Sequence, residues 1–264
     1  MMFQVDGSDV YAHTGGRDFD PKGNVVVMIH GAAMSHLAWS LQTRYLAHHG
    51  LSVLSLDMPG CGRSGGELPE SIPDAARWLI RVLDTLGVEQ AALVGHSMGA
   101  LIALETAGTH PDRVSRLVLM GVGYPMAVND AFLDAADSNL PLAIGLMNDW
   151  AHAKRAHIGG FQVPGLWMVG ADTRVVQQAS HGVLHRHLGI CNAYAGGEAA
   201  AAAVTCPTHL ILGAGDNMTP AKVGQKLAGL IKGAGTTVIP DCGHMMMTEQ
   251  PAAVMRALKP ALGI

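Results

Sequence analysis

Six short apolar runs, each ending in a glycine-bearing loop, constrain this chain more than any other feature of it. They are NVVVMIHGAA (24–33), LSVLSLDMPGCGRSGG (51–66), AALVGHS (91–97), RLVLMGVG (116–123), THLILGAGD (208–216) and GTTVIPDCGH (235–244). Runs that are apolar throughout, rather than alternating, are the mark of strands buried on both faces, and such strands belong to parallel sheets. Helical segments separate them. Residues 36–49 stop at Gly50. Residues 71–87 carry Ser71 as N-cap, Pro73 and Asp74 in the first turn, and Gly87 beyond the end. Residues 98–111 space Leu101, Leu104 and Ala107 at helical intervals and halt at Pro111, and a further helix is expected to open with Thr219 and Pro220. The alternation predicts an α/β fold with a mostly parallel central sheet and helices on both faces. Ligands in such folds gather at the carboxyl ends of the strands, where every one of these glycine loops lies.

One stretch breaks the alternation. From Tyr124 to Val204 there is no convincing buried strand, while Met, Trp, His and helical spacings abound. An insertion of this length reads as a helical cap rather than a loop. The expected organisation is a core of 1–123 and 205–264 with a cap at 124–204, all in one structural domain. The chain before the first run reads as polar and turn-rich, and AGGEAAAAAV (195–204) as a helix or the edge of a linker.

Bulk properties exclude several classes of function. Seventeen Lys and Arg residues against twenty-one Asp and Glu give a formal net charge of −4, with no basic run, so no nucleic-acid partner is expected. No apolar stretch is long enough to span a membrane. The start MMFQVDGSDVYAH lacks a basic segment followed by an apolar one, so no signal peptide is expected either. Cys61, Cys191, Cys206 and Cys242 are isolated from one another, which suits reduced thiols in a cytoplasmic protein.

The chemistry concentrates at GHSMG (95–99). A Gly-x-Ser-x-Gly passing from strand to helix is a nucleophile elbow: the sharp turn lifts Ser97 Oγ above the sheet, and Gly95 and Gly99 leave room for neighbouring backbone. The helix behind the serine aims its free N–H groups and positive dipole end at the reacting centre, so the Met98 N–H is placed to donate to an oxyanion. A serine needs a base, and the base an orienting acid. His244 follows the last strand in a glycine loop, and Asp216 ends the strand before it. Asp241, three residues before His244, is too close along the chain to face the imidazole. Asp130 is an alternative acid after the preceding strand.

With IHGAA (29–33), DMPGCGRS (57–64), GHSMG, GAGDNMTP (213–220) and DCGH (241–244) in this order, the chain resembles the α/β-hydrolase superfamily, in particular its small bacterial esterase-like members. The resemblance covers nearly the whole chain. It implies an α/β-hydrolase fold and a Ser97–His244–Asp216 triad. It also implies a second oxyanion N–H from Ala32, with Ala33 as the alternative, and no metal or organic cofactor. Asp57, Arg63 and Ser64 are expected to tie down their loop, and His96 to pack under the elbow. The implied reaction is cleavage of a small to medium carboxylic ester through an acyl-enzyme, on a small-molecule substrate. Two rivals share the fold: a carbon–carbon bond hydrolase of a ring-cleavage pathway, and a non-catalytic ligand receptor. Met147, Trp150, Trp167 and Met168 are candidates to line an apolar pocket under the cap. His181 and His185 are expected to share a helix face with His187 nearby, a spacing that resembles a zinc site but lacks a further ligand, so cap packing is the expected role.

Overall fold

The computed structural model describes residues 1–159 and 165–264. Its described residues contain eight strands: β1 (Met2–Val5), β2 (Ser8–His13), β3 (Val25–Ile29), β4 (Ser52–Leu56), β5 (Ala91–His96), β6 (Val114–Met120), β7 (Thr208–Gly213) and β8 (Gly235–Ile239). They form one sheet in the order β1-β2-β4-β3-β5-β6-β7-β8. All pairs from β4 to β8 are parallel, while β1–β2 and β2–β4 are antiparallel. The six apolar runs are therefore β3 to β8, as expected. The opening segment is not only turns: it is a hairpin, bent at Asp6 (φ 52°) and Gly7 (φ 77°). Asp-Gly between two extended segments suits such a two-residue turn, because both positions need positive φ.

The two faces of the sheet divide by residue parity. Val25, Val27, Ile29, Leu93, Leu117, Leu119, Leu210 and Leu212 join one buried cluster, with Leu79 and Val82 from the helix Ile72–Thr85 and Leu101 from Met98–Thr109. Val26, Met28, Val53, Val94, Val118, Met120 and Ile211 join the other, with Trp39, Leu46, Val254 and Leu258. Both faces are covered, which is why these strands carry no polar alternation. Ser71 caps the helix Ile72–Thr85, its hydroxyl accepting from the Asp74 N–H at 3.2 Å. Between β6 and β7 the described residues form helices Asp130–Ser138, Leu140–Ala151, Lys154–His157, Met168–Gln177, Val183–Ala193 and Gly197–Ala203. The alanine-rich patch is thus the last of these helices. The stretch 160–164, inside the expected cap, lies outside the described residues.

Two features of the topology place the site. The chain crosses from β3 to β4 in one direction and reaches β5 on the other side of β3, so the carboxyl ends of β3 and β5 meet at a switch point. The register sets Ile29 beside Gly95, which puts the loop 30–34 next to Ser97. The helix that follows β5 then packs at backbone distance. A Cβ on Gly99 would run into the carbonyls of Ile29 and His30, and one on Gly95 into the backbone of Gly99 and Ala100. Both glycines of the elbow are required by this close approach.

This packing predicts that Gly99→Ala loses about 3 kcal/mol or more, since the obstructing atoms are backbone and cannot turn aside. Gly145→Ala, in an exposed helical position with nothing within 4 Å of its added methyl, is expected to gain about 0.5–1 kcal/mol from helix propensity. Urea unfolding of the two variants reads the contrast directly.

Candidate active site

Ser97 stands between β5 and the helix Met98–Thr109 with φ 54° and ψ −119°, a conformation seldom taken by a residue with a side chain. Its own N–H is bonded to the Met120 carbonyl at 2.9 Å, and its carbonyl accepts from the Ala100 N–H at 2.9 Å, so the turn is held from both sides. Backbone strain of this kind persists only where the surroundings enforce it. Met98 is the first residue of the helix, so its N–H has no partner within the helix.

His244 and Asp216 meet as their positions after β8 and β7 suggest. His244 Nδ1 lies 2.8 Å from Asp216 Oδ2, and both residues are buried. The other carboxylate oxygen, Asp216 Oδ1, accepts from the N–H groups of Met218 (2.9 Å) and Thr219 (2.8 Å). Thr219 Oγ1 also donates to Asp216 Oδ2 at 2.7 Å and lies 3.1 Å from His244 Nδ1. Burial opposes charge on Asp216, but the nearby His244 and these hydrogen bonds outweigh it and hold the carboxyl below its usual value. Thr219 was expected to open the next helix. That helix instead runs Ala221–Leu230 with Pro220 ahead of it, and the threonine serves the carboxylate. The Asp-x-x-Thr spacing was the available signal. The alternative acids lie elsewhere: Asp130 is exposed at the start of a helix, and Asp241 is exposed at a turn with φ 50°.

The His244 loop is braced by groups the sequence did not single out. The Ala151 carbonyl accepts from the N–H groups of His244 (2.6 Å) and Met245 (3.2 Å). The buried Glu249 carboxylate accepts from the N–H groups of Gly243 (3.0 and 3.1 Å) and Ala153 (3.0 Å). His96 does pack under the elbow, with its ring 4.6 Å from the His244 ring. It also donates from Nε2 to the His244 carbonyl at 3.0 Å, leaving Nδ1 a buried acceptor without a partner among the described residues. Beside the elbow, the turn 30–34 is fixed by His30. Its Nδ1 donates to the Gly31 carbonyl (2.7 Å) and its Nε2 accepts from the Met58 N–H (3.0 Å). Asp57 takes the N–H groups of His36 (2.6 Å) and Arg63 (2.9 Å), and Ser64 Oγ donates to the Asp57 carbonyl (2.8 Å). Asp57, Arg63 and Ser64 thus tie their loop down, to itself and to the neighbouring His36 and Tyr11.

Ser97, His244, Ala32 and Thr219 open on one cavity of about 520 Å³. Met147 and Trp150 line it, as do Met126, Phe132 and Met218. Trp167 and Met168 do not. Trp167 precedes the helix Met168–Gln177, lies over Gly170 and is 69% exposed, while Met168 is buried away from the cavity. The cap histidines also separate. His181 lies in a turn before the helix Val183–Ala193 and shares no helix face with His185, whose Nδ1 is 3.6 Å from Asp137 at the surface. His187 is buried inside.

The chain matches the model of the alpha/beta hydrolase family over residues 26–257 and belongs to that family. It is 32% identical over 242 residues to the pimeloyl-[acyl-carrier protein] methyl ester esterase of Aromatoleum aromaticum, covering 86% of this chain and 93% of that protein. It is 27% identical over 245 residues to the (E)-2-((N-methylformamido)methylene)succinate hydrolase of Acinetobacter baylyi, covering 90% of each. Among solved structures, an esterase from Exiguobacterium antarcticum shares the fold with a TM-score of 0.87 at 19% identity, over 100% of this chain and 99% of that one.

The histidines around the elbow predict a pH response of the fold. Burial drives His96 and His187 down to about 3, so both fold as neutral rings. An unfolded histidine takes a proton below its ordinary value of 6.5, so each contributes stability above that value and loses it as pH falls towards about 3. The loss approaches about 1.4 kcal/mol per pH unit for each ring. His152 works against them. Burial disfavours its charge, but its 2.9 Å bond to Asp172 outweighs this and raises its pKa, so its contribution is present below 6.5 and fades as pH rises through the raised value. Stability from urea titration should therefore fall between pH 6.5 and 5, and His187→Asn should flatten that slope by about one proton's worth.

Proposed function

We propose that this protein is a serine hydrolase that cleaves an uncharged carboxylic ester of small to medium size through an acyl-enzyme on Ser97. One observation carries the reading. Ser97, held in a strained strand-to-helix turn, opens on the same apolar cavity as His244, and the Nδ1 of His244 is bonded to the buried Asp216. In the proposed reaction His244 Nε2 takes the Ser97 proton as Oγ attacks the ester carbonyl. The N–H groups of Ala32 and Met98 hold the oxyanion, and His244 returns its proton to the departing alcohol. Water then repeats the sequence on the acyl-enzyme. Asp216 keeps the proton on Nδ1 and stabilises the imidazolium, and Thr219 in turn keeps Asp216 oriented.

The cavity supports the choice of substrate. Its lining is dominated by Met, Trp, Phe and aliphatic side chains, and among the described residues it includes no Lys, Arg, Asp or Glu. An anionic substrate would lose its hydration there without a cationic partner. That sets this chain apart from the relative named for a succinate and favours the ester chemistry in the name of the methyl ester esterase. On this reading residues 124–204 are a helical cap over the core formed by 1–123 and 205–264. Among the described residues no helix is long and apolar enough to cross a membrane. The four free cysteines suit a reducing, cytoplasmic setting.

A serine-directed organophosphonate should label Ser97 once per chain, and Ser97→Ala should lower turnover of a short-chain aryl ester by about 10⁴-fold or more. Asp216→Asn should stay folded and lose about 10⁴-fold in kcat, whereas Asp241→Asn should stay close to the parent. A label on another serine, or a crippled Asp241→Asn beside an active Asp216→Asn, overturns the assignment. The absence of turnover across a panel of esters and diketones would leave the ligand-receptor reading in possession.

For the pocket, Trp150→Ala should shift preference from acetate towards octanoate esters while kcat on the acetate changes less than about threefold, as expected when only acyl-chain contacts are removed. Equal losses on all chain lengths would mean that Trp150 serves packing alone.

A further inference from the structure

The turn that brings Ala32 to the cavity is completed by a side chain from the inserted helices. His187, on the helix Val183–Ala193, is wholly buried, and its Nδ1 accepts the Ala33 N–H at 3.1 Å across 154 residues of chain. Ala33 has φ 54°, a left-handed conformation that a residue with a Cβ adopts only under constraint. The core supplies the other restraints on this turn, through His30 and through the Met34 N–H bonded to the Gly31 carbonyl at 3.2 Å. Among the described residues, the bond to His187 is the one that comes from outside the core.

The chemistry of the ring is fully determined. An N–H donated to Nδ1 requires that nitrogen to be bare, so the ring proton sits on Nε2. Nε2 is buried with no partner among the described residues. Burial, and then the neighbouring His30, push the ring down to about 3, so it stays a neutral acceptor throughout the working pH range. An orphaned buried N–H costs about 1–3 kcal/mol. His187 thus satisfies the buried Ala33 N–H while its own Nε2–H goes unbonded among the described residues.

We propose that His187 is a positioning residue of the oxyanion hole. By taking the Ala33 N–H, it turns that donor away from the cavity and holds the turn in the one arrangement that leaves the Ala32 N–H facing Ser97. It thereby decides between the two donors that the sequence leaves open. It also makes the oxyanion hole depend on the seating of the helix Val183–Ala193. The proposal rests on acyl transfer at Ser97 and touches no atom of the substrate itself.

The test is a set of three variants. Asn at 187 places an amide oxygen close to the position of Nδ1 and keeps the acceptor. Gln places its amide near Nε2 and loses it, and Leu removes it altogether. His187→Leu and His187→Gln should lower kcat on a short ester about 10- to 100-fold with KM changed less than about threefold, because an oxyanion donor acts in the transition state. His187→Asn should recover to within about threefold of the parent. Inhibition by a trifluoromethyl ketone, which forms an oxyanion on Ser97, should weaken by the same factor as kcat/KM. Binding of the matching methylene ether should not change. If His187→Leu fails to fold, the contrast between Asn and Gln carries the test alone. The proposal falls if Gln and Asn behave alike. It falls too if the ketone and the ether weaken together, or if kcat is unmoved in every variant. In those cases an active, phosphonate-labelled parent shows that the acyl-enzyme reading survives. A parent that neither turns over esters nor takes the label at Ser97 removes both.

Discussion

The contact on which the rest of this site depends is between a glycine and two carbonyls. Gly99 lets the helix Met98–Thr109 rest against the end of β3, where a side chain would strike the carbonyls of Ile29 and His30. That approach brings the turn 30–34 alongside Ser97 and points the start of the helix at the same cavity. The strain at Ser97 and Ala33, on the order of 1–3 kcal/mol each, is carried by a sheet buried on both faces. Neither residue could hold its backbone alone. The rigid element is the β3–β5 register, and the candidate groups of the site stand at its ends.

The helices between β6 and β7 meet this framework through hydrogen bonds as well as apolar contact. Ala151, at the end of one helix, holds the loop of His244, and Glu249 ties Gly243 to Ala153 just after that helix. Tyr194 donates to Glu105 at 2.6 Å inside the elbow helix, and His187 holds Ala33. The loop of His244, the turn of Ala33 and the helix behind Ser97 are thus each bonded to the segment between β6 and β7 at an identifiable atom. A change in the seating of those helices would be felt at His244 and at the turn 30–34 together, without any change in the sheet.

What the sequence revealed and what it hid divide along a physical line. Continuous apolar runs, glycine loops and helix caps are local patterns, and they disclosed β3 to β8, the Ser71 cap and the elbow. The glycine loops at the strand ends and the family resemblance then brought Ser97, Asp216 and His244 within view. The hairpin β1–β2 was overlooked because its strands are short and half exposed, although Asp6-Gly7 marked the turn. Thr219 was misread because one hydroxyl cannot cap a helix and serve a carboxylate at once, and only the fold reveals which it does. Trp167 carried the right composition for a pocket wall, but its place ahead of a helix turned it outward. The bonds Ala151–His244, Glu249–Ala153 and His187–Ala33 join residues far apart along the chain, and no local pattern encodes them.

The lining of the cavity has a consequence for turnover. On the proposed reaction a neutral ester enters and an acid leaves, and at neutral pH that acid ionises at once. Among the described residues, no Lys or Arg lines the chamber where the anion is born. The oily walls that welcome the substrate therefore repel the product, and the chemistry clears its own chamber by changing the charge of what it holds.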